Sequence, residues 1–204
     1  PTIPESWRNA EYVCLGNFDP VLQLKVLNQM IAPKFVVCDT MNFWIERSMD
    51  DLRKVMERVD CLIINEGEAR MMTDDPNLIR SGRKIRAMGP NIVIIKKGEH
   101  GALLFTDEEI FSATAYPLED IFDPTGAGDT FAGGFVGYLA YVDSLAPEDL
   151  RRAMVYGSAV GSFAVERFSV DRLRDLTIDE VQARVRDFRA MTAFEAQVEV
   201  IEGV

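Results

Sequence analysis

Cys61-Leu62-Ile63-Ile64-Asn65-Glu66-Gly67-Glu68 decides the reading of the fold. An unbroken apolar run describes a strand buried on both faces, and a helix begins directly after Asn65. The same alternation recurs on either side. Upstream, Tyr12-Val13-Cys14-Leu15-Gly16 reads as a short strand, followed by a helix with Val21, Leu24, Leu27 and Ile31 on one face. Phe35-Val36-Val37-Cys38-Asp39 reads as a second strand, followed by a helix over 49–59. Downstream, a helix over 77–88 leads into a strand over 91–96 that contains Ile92-Val93-Ile94-Ile95. Continuous apolar strands separated by amphipathic helices predict an α/β protein with a mostly parallel sheet covered on both faces.

Past residue 96 the pattern changes. Gly98-Glu99-His100-Gly101 reads as a tight turn into a strand over 102–106, and 109–116 as its partner, which predicts an antiparallel edge. His100 sits at the turn tip, exposed and without a catalytic role. After Asp123 the chain turns helical, with Phe131, Phe135 and Leu139 at i, i+4, i+8. Further helices are expected over 147–165 and 178–191; Pro147 suits a first helical turn, and Glu148 and Asp149 suit the positive end of the dipole. No repeat, low-complexity tract or linker interrupts the 204 residues, so residues 1–204 are expected to form one domain.

At 48% hydrophobic and 27% charged, the chain can bury a core. A formal charge of -11 and a pI near 4.6 argue against nucleic acid or an anionic membrane as a partner. Any polyanionic ligand must therefore be held by local positive potential. Cys14, Cys38 and Cys61 lie far apart in strand-like runs, and only one histidine is present, which argues against a zinc site. An odd number of buried thiols suggests a reducing cytoplasm. No apolar run approaches the roughly 18 residues that a spanning helix requires.

The chemistry concentrates in Asp123-Pro124-Thr125-Gly126-Ala127-Gly128-Asp129. The amides of Gly126, Ala127 and Gly128 precede a strong helix, whose N-terminus offers unpaired N–H groups and a partial positive charge. Asp129 falls in the first turn, where the dipole keeps it ionised. A carboxylate beside an anion cradle is what phosphoryl transfer to an alcohol requires. The same residues also suit a plain helix start, with Thr125 or Asp123 as cap. A Walker loop and a dinucleotide fingerprint are both excluded, the first for want of Gly-Lys-Ser/Thr, the second by Phe131.

Asp123 through Phe131, followed by Ala132-Gly133-Gly134-Phe135, resembles the carboxy-terminal signature of the ribokinase-like (PfkB) carbohydrate kinases. The resemblance implies a three-layer α/β/α fold in which Asp129 is the catalytic base and the amides of Gly126, Ala127 and Gly128 form the anion hole. Asn65-Glu66-Gly67-Glu68 is similar to the family's Asn-x-x-Glu element, which implies that Asn65 and Glu68 organise the Mg²⁺–ATP phosphates, Glu68 through water. Asn65 with Glu68 also has the spacing of a capping box, and both roles can hold together. Lys96, Gly98 and Gly101 resemble the strand and glycine turn beside the nucleotide, although a hairpin alone explains the glycines nearly as well. Ser158 corresponds to a position near the adenine; Gly157, Ala159 and Gly161 around it could equally be a helix-packing face. Asp39-Thr40-Met41-Asn42 resembles an Asp-x-Asn stretch of several branches with one residue too many, and Gly16-Asn17 ends the strand before it. Relatives bind a monovalent cation near the positions of Asp123 and Thr125; Ser169 stands where several have glycine, which leaves potassium open.

The implied activity is transfer of phosphate from ATP, with Mg²⁺, to a primary hydroxyl of a sugar. A nucleoside kinase of the same fold, or a non-catalytic binding or regulatory relative, shares these motifs. The family carries on the order of 100 further residues at its amino end. The first strands, the lid and the sugar-gripping aspartate lie there, so the chain, which starts at Pro1, is expected to be a fragment. The sequence leaves the oligomeric state, a homodimer included, undecided.

Overall fold

The computed structural model describes residues 2–193. Four parallel strands, β1 (Tyr12–Leu15), β2 (Phe35–Asp39), β3 (Cys61–Asn65) and β4 (Ile92–Lys96), are extended by the antiparallel β5 (Ala102–Phe105) and β6 (Ile110–Ala113). Spatial order follows chain order, β1 to β6, in one sheet. Val37 stands opposite Cys61, and Ile63 opposite Ile94.

Alternation along each strand divides the apolar residues between two cores. Val36, Cys38, Leu62, Ile64, Val93 and Ile95 face one layer of helices. That layer holds α1 (Pro20–Leu27), α2 (Asn42–Arg47), α3 (Met49–Met56), α4 (Glu66–Thr73) and α5 (Leu78–Arg86). Phe35, Val37, Ile63 and Ile94 face the other layer, where α6 (Ala127–Val142) and α7 (Pro147–Ala164) supply Phe131, Phe135, Leu139, Leu150 and Met154. Each aliphatic side chain buried in this way contributes roughly 1.5–3 kcal/mol. A short α8 (Asp171–Arg174) and then α9 (Ile178–Thr192) follow, and α9 packs on α7. The result is the expected three-layer α/β/α sandwich.

Several local expectations change. Helix α1 ends at Leu27, which leaves Ile31 beyond it and exposed; Val21 is exposed too, because the buried face is Pro20, Gln23 and Leu27. A polar residue takes the inward position because Gln23 Nε2 donates to the carbonyls of Gly16 (2.9 Å), just past β1, and Asp39 (3.1 Å), at the end of β2. Strand β6 stops at Ala113, not at 116, and residues 114–126 carry no helix or strand. Asp39-Thr40-Met41-Asn42 does end a strand, β2, and its last residue, Asn42, opens α2. Cys38 and Cys61 are buried as expected, whereas Cys14, on the edge strand β1, is exposed. Among the described residues no helix is long and apolar enough to cross a membrane.

Candidate active site

The period of two that builds the cores also builds the site. Asp39, Asn65 and Lys96 are in step with Val37, Ile63 and Ile94, so all three sit at carboxyl ends of parallel strands on the α6 face. Helix α6 begins across from them. Its N-cap is Gly126 at φ 81°, ψ -2°, a left-handed conformation that favours glycine. Neither Thr125 nor Asp123 caps the helix. Asp123 Oδ1 instead accepts the Thr125 N–H at 2.9 Å, and Oδ2 accepts the Ser169 N–H at 3.3 Å. These bonds hold the Asp123 carboxyl below its ordinary range, the Thr125 amide contributing first.

The expected trio of cradle amides is modified. The Ala127 N–H closes a turn onto the Pro124 carbonyl at 3.2 Å. Among the described residues the amides of Gly126, Gly128 and Asp129 have no such partner. Asp129 lies exposed in the first turn, on the same helix end.

Lys96 supplies the local positive charge that an acidic chain needs. Its Nζ lies 3.3 Å from Asp39 Oδ2, and a Cβ placed on Gly128 would come within 2.7 Å of the same Nζ. The lysine therefore reaches from β4 over the start of α6, and Gly128 leaves room for it. Asp39 is buried; its Oδ1 accepts the Thr40 N–H at 2.7 Å. Burial pushes the Asp39 carboxyl up, Lys96 opposes that push, and the charge of Asp129 adds to it.

Asn65 and Glu68 form a complete capping box: Asn65 Oδ1 accepts the Glu68 N–H at 2.9 Å, and Glu68 Oε2 accepts the Asn65 N–H at 2.8 Å. Glu68 is buried, and desolvation raises its carboxyl above the ordinary value despite the Asn65 amide. Among the described residues no group of three or more His, Cys, Asp or Glu could hold a metal.

A cavity of about 530 Å³ opens between the β4–β5 turn, residues 114–126 and helices α6 and α7. Asn65, Lys96, Gly98, Gly101, Ala127, Gly128 and Ser158 all line it. Gly101, at φ 82°, packs so tightly against β6 that a Cβ would fall 2.0 Å from the Ala113 carbonyl oxygen. The two readings of α7 separate by side. Gly157 abuts Phe131 of α6, while Ser158 faces the cavity. Glu68 and Asp129 stand outside this lining. Asp123, Thr125 and Ser169 line a second cavity of about 370 Å³ behind the α6 start. His100 is exposed in the 3-10 turn Gly98–His100. Sequence reasoning missed the remaining wall, Tyr116, Pro117, Leu118, Ile121, Ser162 and Val165. Tyr116 was read into a strand that ends at Ala113, Ser162 and Val165 into the helix over 147–165, and Pro117, Leu118 and Ile121 carried no signal.

A parallel sheet whose polar strand ends face a glycine-rich helix start defines a class of α/β proteins that bind ligands at the carboxyl ends of their strands. Residues 4–175 match the pfkB family carbohydrate kinases, and the chain belongs to that family. It is 35% identical over 141 residues to a cytidine kinase of Thermococcus kodakarensis, a match covering 67% of this chain and 50% of the relative. The crystal structure of a Methanocaldococcus jannaschii nucleoside kinase superimposes with a TM-score of 0.70 at 24% identity, over 87% of this chain and 56% of that one. A putative ribokinase II from E. coli, solved with ATP and Mg²⁺, gives a TM-score of 0.72 at 21% identity, over 91% and 62%. The chain spans about half the length of the curated relatives it matches.

Proposed function

We propose that the full-length protein transfers the terminal phosphoryl group of ATP to a hydroxyl of a sugar or nucleoside. The observation that carries this reading is the meeting of three features at one point: a helix start with unpaired amides, a lysine held over it by a buried aspartate, and Asp129 in the same helical turn. Asp129 accepts the proton of the acceptor hydroxyl as the new O–P bond forms and the bond to the ADP oxygen breaks. The amides of Gly126 and Gly128, with the α6 dipole, stabilise charge on the phosphoryl oxygens; Lys96 adds a formal charge that the net -11 of the chain does not provide. Ala127 shapes this cradle through its turn onto Pro124 rather than by donating to the ligand.

The donor set fits magnesium of the kind that rides on nucleotide phosphates and takes only one or two protein carboxylates. Glu68 would approach it through water, with Asn65 orienting the phosphates; bound there, the ion neutralises phosphate charge. The cavity lined by Gly98, Gly101 and Ser158 takes the nucleoside part of ATP. Asp123 and Thr125 are the candidates for a monovalent cation. The names of the similar kinases favour a nucleoside acceptor over a free sugar.

The test is Asp129→Asn in the full-length protein, assayed with a sugar and nucleoside panel. Loss of a general base predicts kcat lower by about 10²–10⁴-fold with Mg²⁺–ATP binding retained. Turnover at the wild-type rate removes Asp129 from the role of base.

A further inference from the structure

Phosphoryl transfer gives no reason for an arginine on α9, yet Arg184 there is tied to the wall of the 530 Å³ cavity. Its side chain is only 13% exposed. The guanidinium carbon lies 3.4 Å from the centre of the Phe163 ring and 4.4 Å from that of Tyr116. Nη1 donates to Ser162 Oγ at 2.9 Å, and Nη2 donates to Glu166 Oε1 at 2.7 Å. Ser162 Oγ spends its own hydrogen on the Ala159 carbonyl at 2.7 Å, so its direction is fixed from both sides. Glu166 is held in turn, its Oε2 accepting from Arg172 Nε at 3.1 Å.

Tyr116 is gripped by one face of α9. Besides the guanidinium, its hydroxyl donates to Asp187 Oδ2 at 3.2 Å and its ring lies 5.6 Å from that of Phe188. Residues 184, 187 and 188 follow the i, i+3, i+4 spacing of a single helix face. Tyr116 and Ser162 both line the cavity, on the wall shared with Leu118 and Val165, while Lys96 and Gly128 mark its charged end. Flat apolar walls with one or two fixed polar groups suit a nucleobase, and the charged end suits phosphates.

We propose that Arg184 is a positioning residue for nucleotide recognition: α9 sets the place of Tyr116 and Ser162, and through them the affinity for the base end of the nucleotide, without touching it. This rests on the reading of the cavity as the nucleotide site. Loss of the charge-assisted hydrogen bond that orients Ser162 and of the cation stacked on Tyr116, with the Glu166 bond that anchors them, predicts about tenfold weaker binding of Mg²⁺–ATP in Arg184→Ala. Binding of Mg²⁺–tripolyphosphate, which lacks a base, stays as in the wild type. KM for ATP rises in parallel, with kcat at saturation within about twofold.

The measurement is calorimetric titration of full-length wild type, Arg184→Ala, Arg184→Lys and Asp187→Ala with both ligands. Arg184→Lys keeps a donor and a charge but not the planar stack, and falls between wild type and alanine. Asp187→Ala frees one hold on Tyr116 at an exposed site where folding is not at stake, and weakens Mg²⁺–ATP about threefold. Unchanged Mg²⁺–ATP affinity in Arg184→Ala and Asp187→Ala, with only Tm lowered, makes α9 a packing element and overturns the inference alone. Equal weakening toward tripolyphosphate overturns it as well. A wild type that binds no Mg²⁺–ATP overturns the nucleotide reading of the cavity together with it.

Discussion

Gly126→Ala isolates the cost of the loop geometry. The residue sits at φ 81° as the N-cap of α6, and open space surrounds the position a Cβ would take. No clash contributes, so the penalty is that of an L-residue in the left-handed region, about 1–2 kcal/mol. Gly133 lies further along the same helix, equally open, with ordinary helical backbone. Alanine there gains about 0.8–1.0 kcal/mol of helix propensity. One substitution made at two places in one helix therefore has opposite signs. The gap of roughly 2–3 kcal/mol corresponds to about 4–12 °C in Tm for a chain of this size. Thermal unfolding followed by circular dichroism, at one scan rate for both variants, reads it directly. If Gly126→Ala melts no lower than Gly133→Ala, Gly126 is not held in the left-handed region and the cradle is built differently.

Substitutions at two further positions separate structure from chemistry elsewhere. Glu68→Gln keeps the reciprocal cap with Asn65, so Tm stays within a degree or two of wild type, whereas Glu68→Ala loses about 1 kcal/mol of capping. The Mg²⁺ concentration for half-maximal rate should rise about tenfold in both, and a glutamine variant with wild-type Mg²⁺ dependence would clear Glu68 of any part in the metal–nucleotide site. Asp75 accepts from Arg80 (2.9 Å), Lys84 (2.9 Å) and the Asn77 amide, which hold its carboxyl well below the usual range, the Arg80 bond first. A depressed folded-state pKa gives stability that is present above the unfolded value and lost as pH falls below it. Asp75→Asn therefore lowers Tm at pH 7, and the deficit shrinks as pH drops below about 4. A deficit that stays constant down to pH 3 would assign the effect to something other than the carboxylate charge.

The strands were legible because a parallel strand covered on both faces leaves an unbroken apolar run, as 61–64 and 92–95 do. The α6 stripe of Phe131, Phe135 and Leu139 was legible for the matching reason, a helical period pressed on the sheet. The inward face of α1 was not, because Gln23 is buried for its hydrogen bonds to two strand carbonyls, and periodicity counts only apolarity. Within the loop, the pattern of glycines predicted a helix start with free amides but not that the Ala127 amide turns back to Pro124; backbone direction follows from φ and ψ, which composition does not encode. The Asp39–Lys96 pair bridges residues 57 apart in sequence, and the Tyr116–Asp187 bond residues 71 apart. No local pattern reports such pairs. They come from the sheet order in the first case and from the docking of α9 in the second.

Because the strands lie in the sheet in the order in which they occur in the chain, each strand from β2 to β6 finds its neighbour already made. Assembly can proceed from one end, without waiting for a distant segment to be inserted between strands. The two layers of helices do not enjoy the same timing. The α1–α5 cover is interleaved with the strands, but α6 and α7 follow only after all six are complete. Until then Phe35, Val37, Ile63 and Ile94 lack the α6 and α7 side chains that pack on them. Those helices also carry the proposed cradle, so the segment that closes this side of the sheet is the one that brings the glycine-rich loop to the strand ends.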